Sequence, residues 1–195
     1  STAADITATS VANGIKNADT TVANGGTDVT IGAASIISPL STQIRFNGPE
    51  NGDTKAPFDV RTRATVSKAD FAALLNTTVE NVEIVAKDKD ADLIVGFVYM
   101  ADSGEDDYDE AAAKAAAIAG EDAPGYKVVN VSYIQRSGDN YVWTCFIAGP
   151  DYTDGVNALA YIICDGCEPQ FKTVDATTFS ELYDAAKAAG IIPKA

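Results

Sequence analysis

Histidine is absent from this chain of 195 residues, and its absence removes whole classes of chemistry. Histidine is the commonest general base near neutral pH and the commonest zinc ligand. The Ser-His-Asp and Cys-His arrangements of hydrolases are therefore excluded. Catalysis would have to use carboxylates, and the spacing of the acids does not single out any pair as a glycosidase acid and base. We expect a protein that is not an enzyme and requires no cofactor.

Positive charge is scarce: 14 Lys and Arg residues face 28 Asp and Glu residues, for a net charge of -14. A surface this negative repels phosphate backbones, so we expect no nucleic acid partner. Long hydrophobic runs are missing as well, since no stretch approaches the roughly 18 apolar residues of a membrane span. We expect no membrane insertion.

The first 45 residues contain no aromatic side chain, and Ala, Thr, Ser, Gly and Asn supply 26 of the first 40 positions. Such a segment has too few large side chains to build a core. Residues 4–8 and 27–31 nevertheless alternate like β-strands. The sequence thus predicts an extended N-terminal arm, residues 1–40, and a β-sandwich domain, residues 41–195. The arm is a candidate donor strand, whose predicted contact residues are Ile6, Val11, Ile15, Val22, Val29 and Ile31.

The domain itself is predicted to be mainly β. Residues 41–46 and 58–66 form strand-like runs, and residues 93–100 are almost continuously apolar, as in a central strand. Turn residues at 137–139 predict a hairpin between strands 126–134 and 140–148. Asp165-Gly166 predicts another, between residues 159–164 and 170–174.

Helix signals are fewer. Ser67 can cap a helix over about 68–75, acids begin and Gly120 ends a helix over 107–119, and a Thr178–Glu181 capping box opens a last helix. We therefore predict a mainly β, α+β decorated fold. It is an antiparallel β-sandwich or jelly-roll-like domain with eight or nine strands and about three short helices.

Clustered acids are the candidate metal ligands. Calcium prefers six to eight oxygen ligands, and an acidic loop can supply them, although this spacing is not that of an EF-hand. The alternative is that acids at a helix start stabilise its dipole. Smaller acidic groups at Asp88, Asp90, Asp92, Asp151 and Asp154 read more simply as polar links and turns. The residues predicted as calcium ligands are Asp102, Glu105, Asp106, Asp107 and Asp109.

Three cysteines are present, two of them in Cys164-Asp165-Gly166-Cys167. A redox motif needs a helix after the first cysteine, and a zinc site needs more ligands than Cys145 can add. We therefore predict a structural Cys164–Cys167 disulfide with Cys145 as a buried thiol. A bridge from Cys145 to either partner is the alternative. Either version indicates an oxidising, extracellular or cell-surface location.

The aromatic residues indicate an alternative function, the binding of a glycan. Tyr141 and Trp143 share one face of their predicted strand and could stack on a sugar ring. The competing interpretation is that this lone tryptophan belongs to the core. Two sequons, at Asn76 and Asn130, are compatible with glycosylation and are common by chance.

One set of segments resembles a known group. These are Ile44-Arg45-Phe46, residues 58–64 (FDVRTRA), Tyr133-Ile134-Gln135 and Tyr141-Val142-Trp143. Their pattern resembles uncharacterised β-rich domains in secreted and cell-surface proteins of clostridia-like bacteria, over about residues 41–185. The resemblance implies a bacterial surface or secreted setting and carries over no functional residues.

The sequence therefore predicts a non-enzymatic extracellular structural protein that binds itself. Its subunits would assemble into a filament or surface layer by strand exchange through the arm. The alternative is a cell-surface binding module for glycan or calcium.

Overall fold

A computed structural model describes residues 20–24, 27–31, 34–46, 58–82, 93–100, 108–131, 133–148 and 155–191. The chain divides into two compact units, residues 1–35 and 36–195. In the first unit, β1 (Thr20–Asn24) and β2 (Thr27–Ile31) form an antiparallel hairpin that pairs Val22 with Val29. This unit therefore has paired strands.

The second unit contains two four-stranded antiparallel sheets. The first sheet has the order β3-β4-β8-β7 and the second has the order β10-β9-β5-β6. The strands of the first sheet are β3 (Ser41–Phe46), β4 (Phe58–Ser67), β7 (Gln135–Ser137) and β8 (Asn140–Ala148). The strands of the second are β5 (Leu93–Met100), β6 (Tyr126–Asn130), β9 (Ala158–Cys164) and β10 (Gln170–Thr173). The predicted mainly β, sandwich-like fold is confirmed.

The main core lies between the two sheets. In β4, Val60, Ala64 and Val66 are buried in this core and residues 61, 63 and 65 are only partly buried, which follows the two-residue alternation of a strand. From the second sheet, Phe97 reaches the same core, and its ring lies 6.4 Å from the ring of Trp143. The Nε1–H of Trp143 donates to the carbonyl of Gly96 at 3.2 Å, so a hydrogen bond joins the sheets.

Among the described residues, the remaining apolar surface is covered by α1 (Lys68–Leu74), α2 (Glu110–Ala119) and α3 (Phe179–Ala188), and residues 79–82 are also helical, with Val82 in the main core. Helix α2 packs small alanines on the outer face of the second sheet, which explains why its central strands are buried on both faces. Helices α1 and α3 contribute Phe71 and Phe179 to the main core. The predicted Thr178–Glu181 capping box is present.

The domain begins earlier than the sequence predicts. Ile37 and Leu40 are buried in the main core, and the Ser38 N–H donates to the carbonyl of Thr65 at 2.8 Å. These contacts attach the segment before β3 to the sandwich. The compact unit consequently starts at Ile36, five residues before the predicted boundary at 41.

The prediction for residues 126–134 differs from the structure. The run 126–134 is not one strand: β6 ends at Asn130 in the second sheet, and the short β7 belongs to the first. In this run the apolar pattern of the sequence continues past the point where strand pairing stops. The predicted hairpin around Asp165-Gly166 is present, since β9 pairs antiparallel with β10 across the connection 165–169.

Candidate functional site: the open edge of strand β8

Strand β8 has a full-length partner on one side and a short partner on the other. It pairs with β4 from Asn140 to Ala148, whereas β7 pairs with it only from Asn140 to Val142. Within the described part of the chain, no strand lies beside residues 143–148 on the side away from β4. We call this side of residues 143–148 the open edge.

The register shows which backbone groups face the open edge. The Thr65 carbonyl accepts from Ser38 on the β3 side of β4, so its neighbours Ala64 and Val66 direct their groups to β8. Their partners on β8 are Trp143 and Tyr141. Because strand backbone groups alternate in direction, Thr144 and Phe146 point the other way. Each presents an N–H and a C=O, the obligatory hydrogen-bonding groups of a backbone, to the open edge.

The short length of β7 creates the open edge. Gly138 has φ +57°, and the tight turn after Ser137 sets the register of β7 on β8. Before β7, the chain comes from the second sheet, where the Val131 N–H donates to the Val95 carbonyl at 2.9 Å. Tyr133, which would face Thr144 if β7 were longer, is 74 % exposed instead. The crossover therefore uses the residues that could have paired with Thr144.

The outer face beside the open edge carries cations. The Arg45 guanidinium lies 4.0 Å from the ring centre of Phe146 and forms a 2.5 Å ion pair with Asp59. The hydrogen bond to Asp59 raises the pKa of Arg45. Arg61 donates to Gln43 on the same sheet. Of the four arginines of the chain, Arg45, Arg61 and Arg63 lie on the outer face of the first sheet, whereas Arg136 of β7 is the register partner of the core-facing Tyr141 and lies on the other face.

The cysteine prediction is confirmed. A Cys164–Cys167 disulfide closes the turn after β9, with its Cα atoms 5.3 Å apart, and Cys145 is a buried free thiol. Burial raises the pKa of Cys145 from about 9 to about 12, partly offset by the Phe146 N–H. This thiol is protonated at neutral pH and is therefore a poor nucleophile.

The predicted glycan platform is wrong for this fold. Tyr141 and Trp143 do share a face, but that face points into the core, and each residue is 2 % exposed. The Trp143 ring is enclosed between the sheets, and Tyr141 packs edge-on to Phe71 with ring centres 5.5 Å apart. A sugar ring has no access to either residue.

Of the predicted calcium ligands, only Asp109 lies within the described residues. Its carboxylate accepts from the N–H groups of Ala111 and Ala112, so it is the N-cap of α2 and the helix begins at Glu110. This matches the alternative given above for acids at a helix start. No group of three metal-binding side chains occurs in the described ranges. Asp102, Glu105, Asp106 and Asp107 lie outside them, as do the acids at 88–92 and 151–154.

Of the predicted contact residues of the arm, three lie within the described residues and three lie outside them. Val22 lies on β1, and Val29 and Ile31 lie on β2. Val22 pairs with Val29, and Ile31 pairs with Thr20. Ile6, Val11 and Ile15 are outside the described residues.

Thr144 and Phe146 were not among the predicted site residues. One signal in the sequence pointed to them: Phe146 is a large apolar residue that alternates with the buried run Trp143, Cys145 and Ile147, and so had to face outward. It is 44 % exposed. Pattern alone does not reveal that the neighbouring strand stops before it.

The fold is thus a sandwich-like α+β architecture in which residues 143–148 of β8 have no described strand beside them on the side away from β4. No protein-family model, curated protein or solved structure matches this sequence. Among the described residues, none of the helices has the length and apolar character needed to cross a membrane.

Proposed function

We propose that this protein is a non-enzymatic, extracellular structural subunit that assembles with copies of itself by strand addition through its N-terminal segment. The observation that carries the proposal is the open edge of β8. Unpaired strand edges are ready templates for another strand, and proteins normally shorten, charge or cover them. Strand addition uses main-chain hydrogen bonds for affinity and alternate side chains for register.

The division of the chain supports a donor role for the N-terminal unit. Its hairpin is made of strands five residues long, and no aromatic residue occurs before Phe46. An isolated two-stranded hairpin is marginally stable in water at best. Residues 36–195, in contrast, have their own core. Pairing with a partner sheet would stabilise such a hairpin.

An extracellular setting is the part of the proposal that rests on the cysteines. The Cys164–Cys167 bridge closes a turn that is mostly exposed. Structural disulfides persist in oxidising compartments and are rare in reducing ones. A secreted or cell-surface subunit fits that chemistry.

Truncation tests the proposal. A variant lacking residues 1–33 keeps Ile37, Leu40 and the Ser38–Thr65 hydrogen bond, so the sandwich should fold. We expect the full chain to form large species in sedimentation velocity and negative-stain microscopy, and the truncated chain to stay monomeric. Equal assembly of the two proteins would overturn the proposal.

A full-length variant controls for chain length. Val22→Asp with Val29→Asp places two like charges directly opposite each other in the hairpin, which destabilises strand pairing. We expect this variant to behave like the truncated chain.

A further inference from the structure

We infer that the open edge of β8 is the acceptor for the β1–β2 hairpin of a second copy, so that subunits join head to tail. This inference rests on the proposed function and adds its site and direction. Within the sandwich, the point at which the chain enters and the open edge lie on opposite sides.

The chain enters the sandwich on the β3 and β10 side. The Ile36 N–H donates to Gln170 Oε1 at 3.2 Å, and Gln170 is the first residue of β10. The next anchored residue, Ser38, bonds to β4 on its β3 side. Strands β3 and β10 are edge strands of the two sheets, and β7 and β6 are the opposite edges. The open edge of β8 is on the β7 side.

The linker is too short for a hairpin to reach the open edge of its own domain easily. Ile31, the last residue of β2, and Ile36 are five residues apart, and an extended chain spans at most about 3.3–3.6 Å per residue, or roughly 17 Å in all. The vacant position beside β8 lies three strand spacings from β3, and strands lie about 4.8 Å apart, which gives roughly 14 Å in a straight line. The path from Ile36 must also pass around the β3 edge and over the side chains of the outer face, and the remaining ~3 Å is too little for that detour. A second copy has no such limit.

The hairpin and the open edge match in length. The open edge has six residues, 143–148, and each hairpin strand has five. The hairpin register bonds Val22 to Val29, so by alternation the backbone groups of Ala23 and Asp28 point outward and can bond to another strand.

A donor on one side and an acceptor on the other make a heterologous interface. Such an interface repeats without closing unless its rotation happens to form a ring, so the expected product is a linear filament. A two-fold dimer would require the same patch on both subunits.

Proline at the open edge tests the acceptor. Thr144→Pro removes an N–H that points away from β4, so every β4 hydrogen bond of β8 remains. We expect the concentration needed for assembly to rise by about tenfold or more. The matched control is Thr42→Pro, which removes an outward N–H from β3 on the opposite edge of the same sheet. Unfolding curves establish that both variants fold.

Cross-linking gives a second readout that does not depend on proline. Phe146→Cys protein is mixed with Asp28→Cys protein of different mass, and a short bis-maleimide is added. We expect a heterodimer of the two masses. Ile118→Cys, exposed on α2 over the other sheet, replaces Phe146→Cys as the control and should give none.

The outcomes separate the two proposals. If truncation at residue 33 abolishes assembly but Thr144→Pro does not and no cross-link forms, the acceptor is wrong and the proposed function stands. A cross-link formed within single chains carrying both cysteines, but not between chains, overturns the head-to-tail arrangement. If the full chain remains monomeric at all concentrations, both proposals fail.

Discussion

Gly96 shows how one missing side chain shapes the second sheet. It lies in β5 between Tyr161 of β9 and Asn130 of β6, which are its register partners. The Tyr161 ring crosses over Gly96, and its hydroxyl donates to Asn130 Oδ1. A ring placed over a strand glycine fills the space that a side chain would occupy.

We expect Gly96→Ala to lower the free energy of unfolding by about 2 kcal/mol or more, because overpacking a buried site forces its neighbours to move. The new Cβ would lie 2.7 Å from Tyr161 Cζ and would also overlap the Val129 carbonyl oxygen. Urea unfolding measures the change. Gly155→Ala is the control, since the atom nearest its Cβ, Asn157 Nδ2, is 3.4 Å away. Equal stability of the two variants would contradict the packing argument.

Because the thiol of Cys145 is buried, we expect the protein to lose stability at alkaline pH. Burial raises its pKa from about 9 to about 12, so the folded thiol keeps its proton in a range where the unfolded thiol loses it. Between those values the unfolded state binds fewer protons, and stability therefore falls as pH rises. We expect Cys145→Ala to have a shallower decline between pH 9 and 11 in urea unfolding. Parallel declines would contradict the assignment. Tyr108, with its pKa raised to about 12 by burial, contributes in both proteins.

The sequence pattern correctly predicted which residues share a strand face. It did not predict whether that face packs in the core or is exposed for binding. The alternation of Tyr141, Trp143 and Cys145 was right, but a two-residue period is the same for a core face and a binding face. Deciding between them required the second sheet, whose Phe97 and Gly96 enclose the indole ring. That information is tertiary.

The element most poorly predicted was the run 126–134. Its residues favour a strand throughout, and no glycine or proline marks the place where the chain leaves one sheet for the other. The Val131–Val95 hydrogen bond holds the end of β6, and the turn at Gly138 holds β7. The chain between these two fixed points crosses the side of the sandwich. Because the open edge depends on this crossover, local propensity could not predict it.

Helix α2 depends on its first residues. Asp109 accepts from two backbone N–H groups, and its own N–H donates to Tyr126 Oη at 2.8 Å. We expect Asp109→Ala to cost about 1 kcal/mol in the free energy of unfolding, the usual value of an N-cap side chain.

The matched control for this cap is Asp184→Ala, an exposed acid within the body of α3, with a change inside about 0.5 kcal/mol. Thermal or urea unfolding distinguishes the two. A cap variant as stable as the control would show that Tyr126 alone holds the start of α2.

At the scale of the whole molecule, charge opposes assembly. Each copy carries a net charge of -14, so neighbours repel each other. The Debye length falls from about 30 Å at 0.01 M salt to about 8 Å at 0.15 M. We expect the concentration needed for assembly to be lower at the higher salt, measured by sedimentation velocity. Assembly that weakens with salt would mean that attractive ion pairs dominate the interface. The control is the chain lacking residues 1–33, measured at the same two salt concentrations.

The division into an N-terminal segment and a sandwich-like domain was the part of the molecule most accessible from sequence. Composition separates the first 40 residues from the rest, and the strand pattern of the domain yields two antiparallel sheets. The boundary was misplaced because Ile37 and Leu40 are isolated apolar residues in a segment of small ones. Nothing in the local pattern indicates that they reach the core.

Trp143 also gives this molecule an optical probe. It is the single tryptophan of the chain, and its indole N–H is bonded to the opposite sheet. Selective excitation at the red edge of protein absorbance therefore reports one location, the contact between the two layers. A red shift of the emission follows separation of those layers and water entry, whereas removal of the N-terminal hairpin should leave the wavelength unchanged. One fluorescence measurement can thus distinguish an unfolded variant from one that is folded and does not assemble.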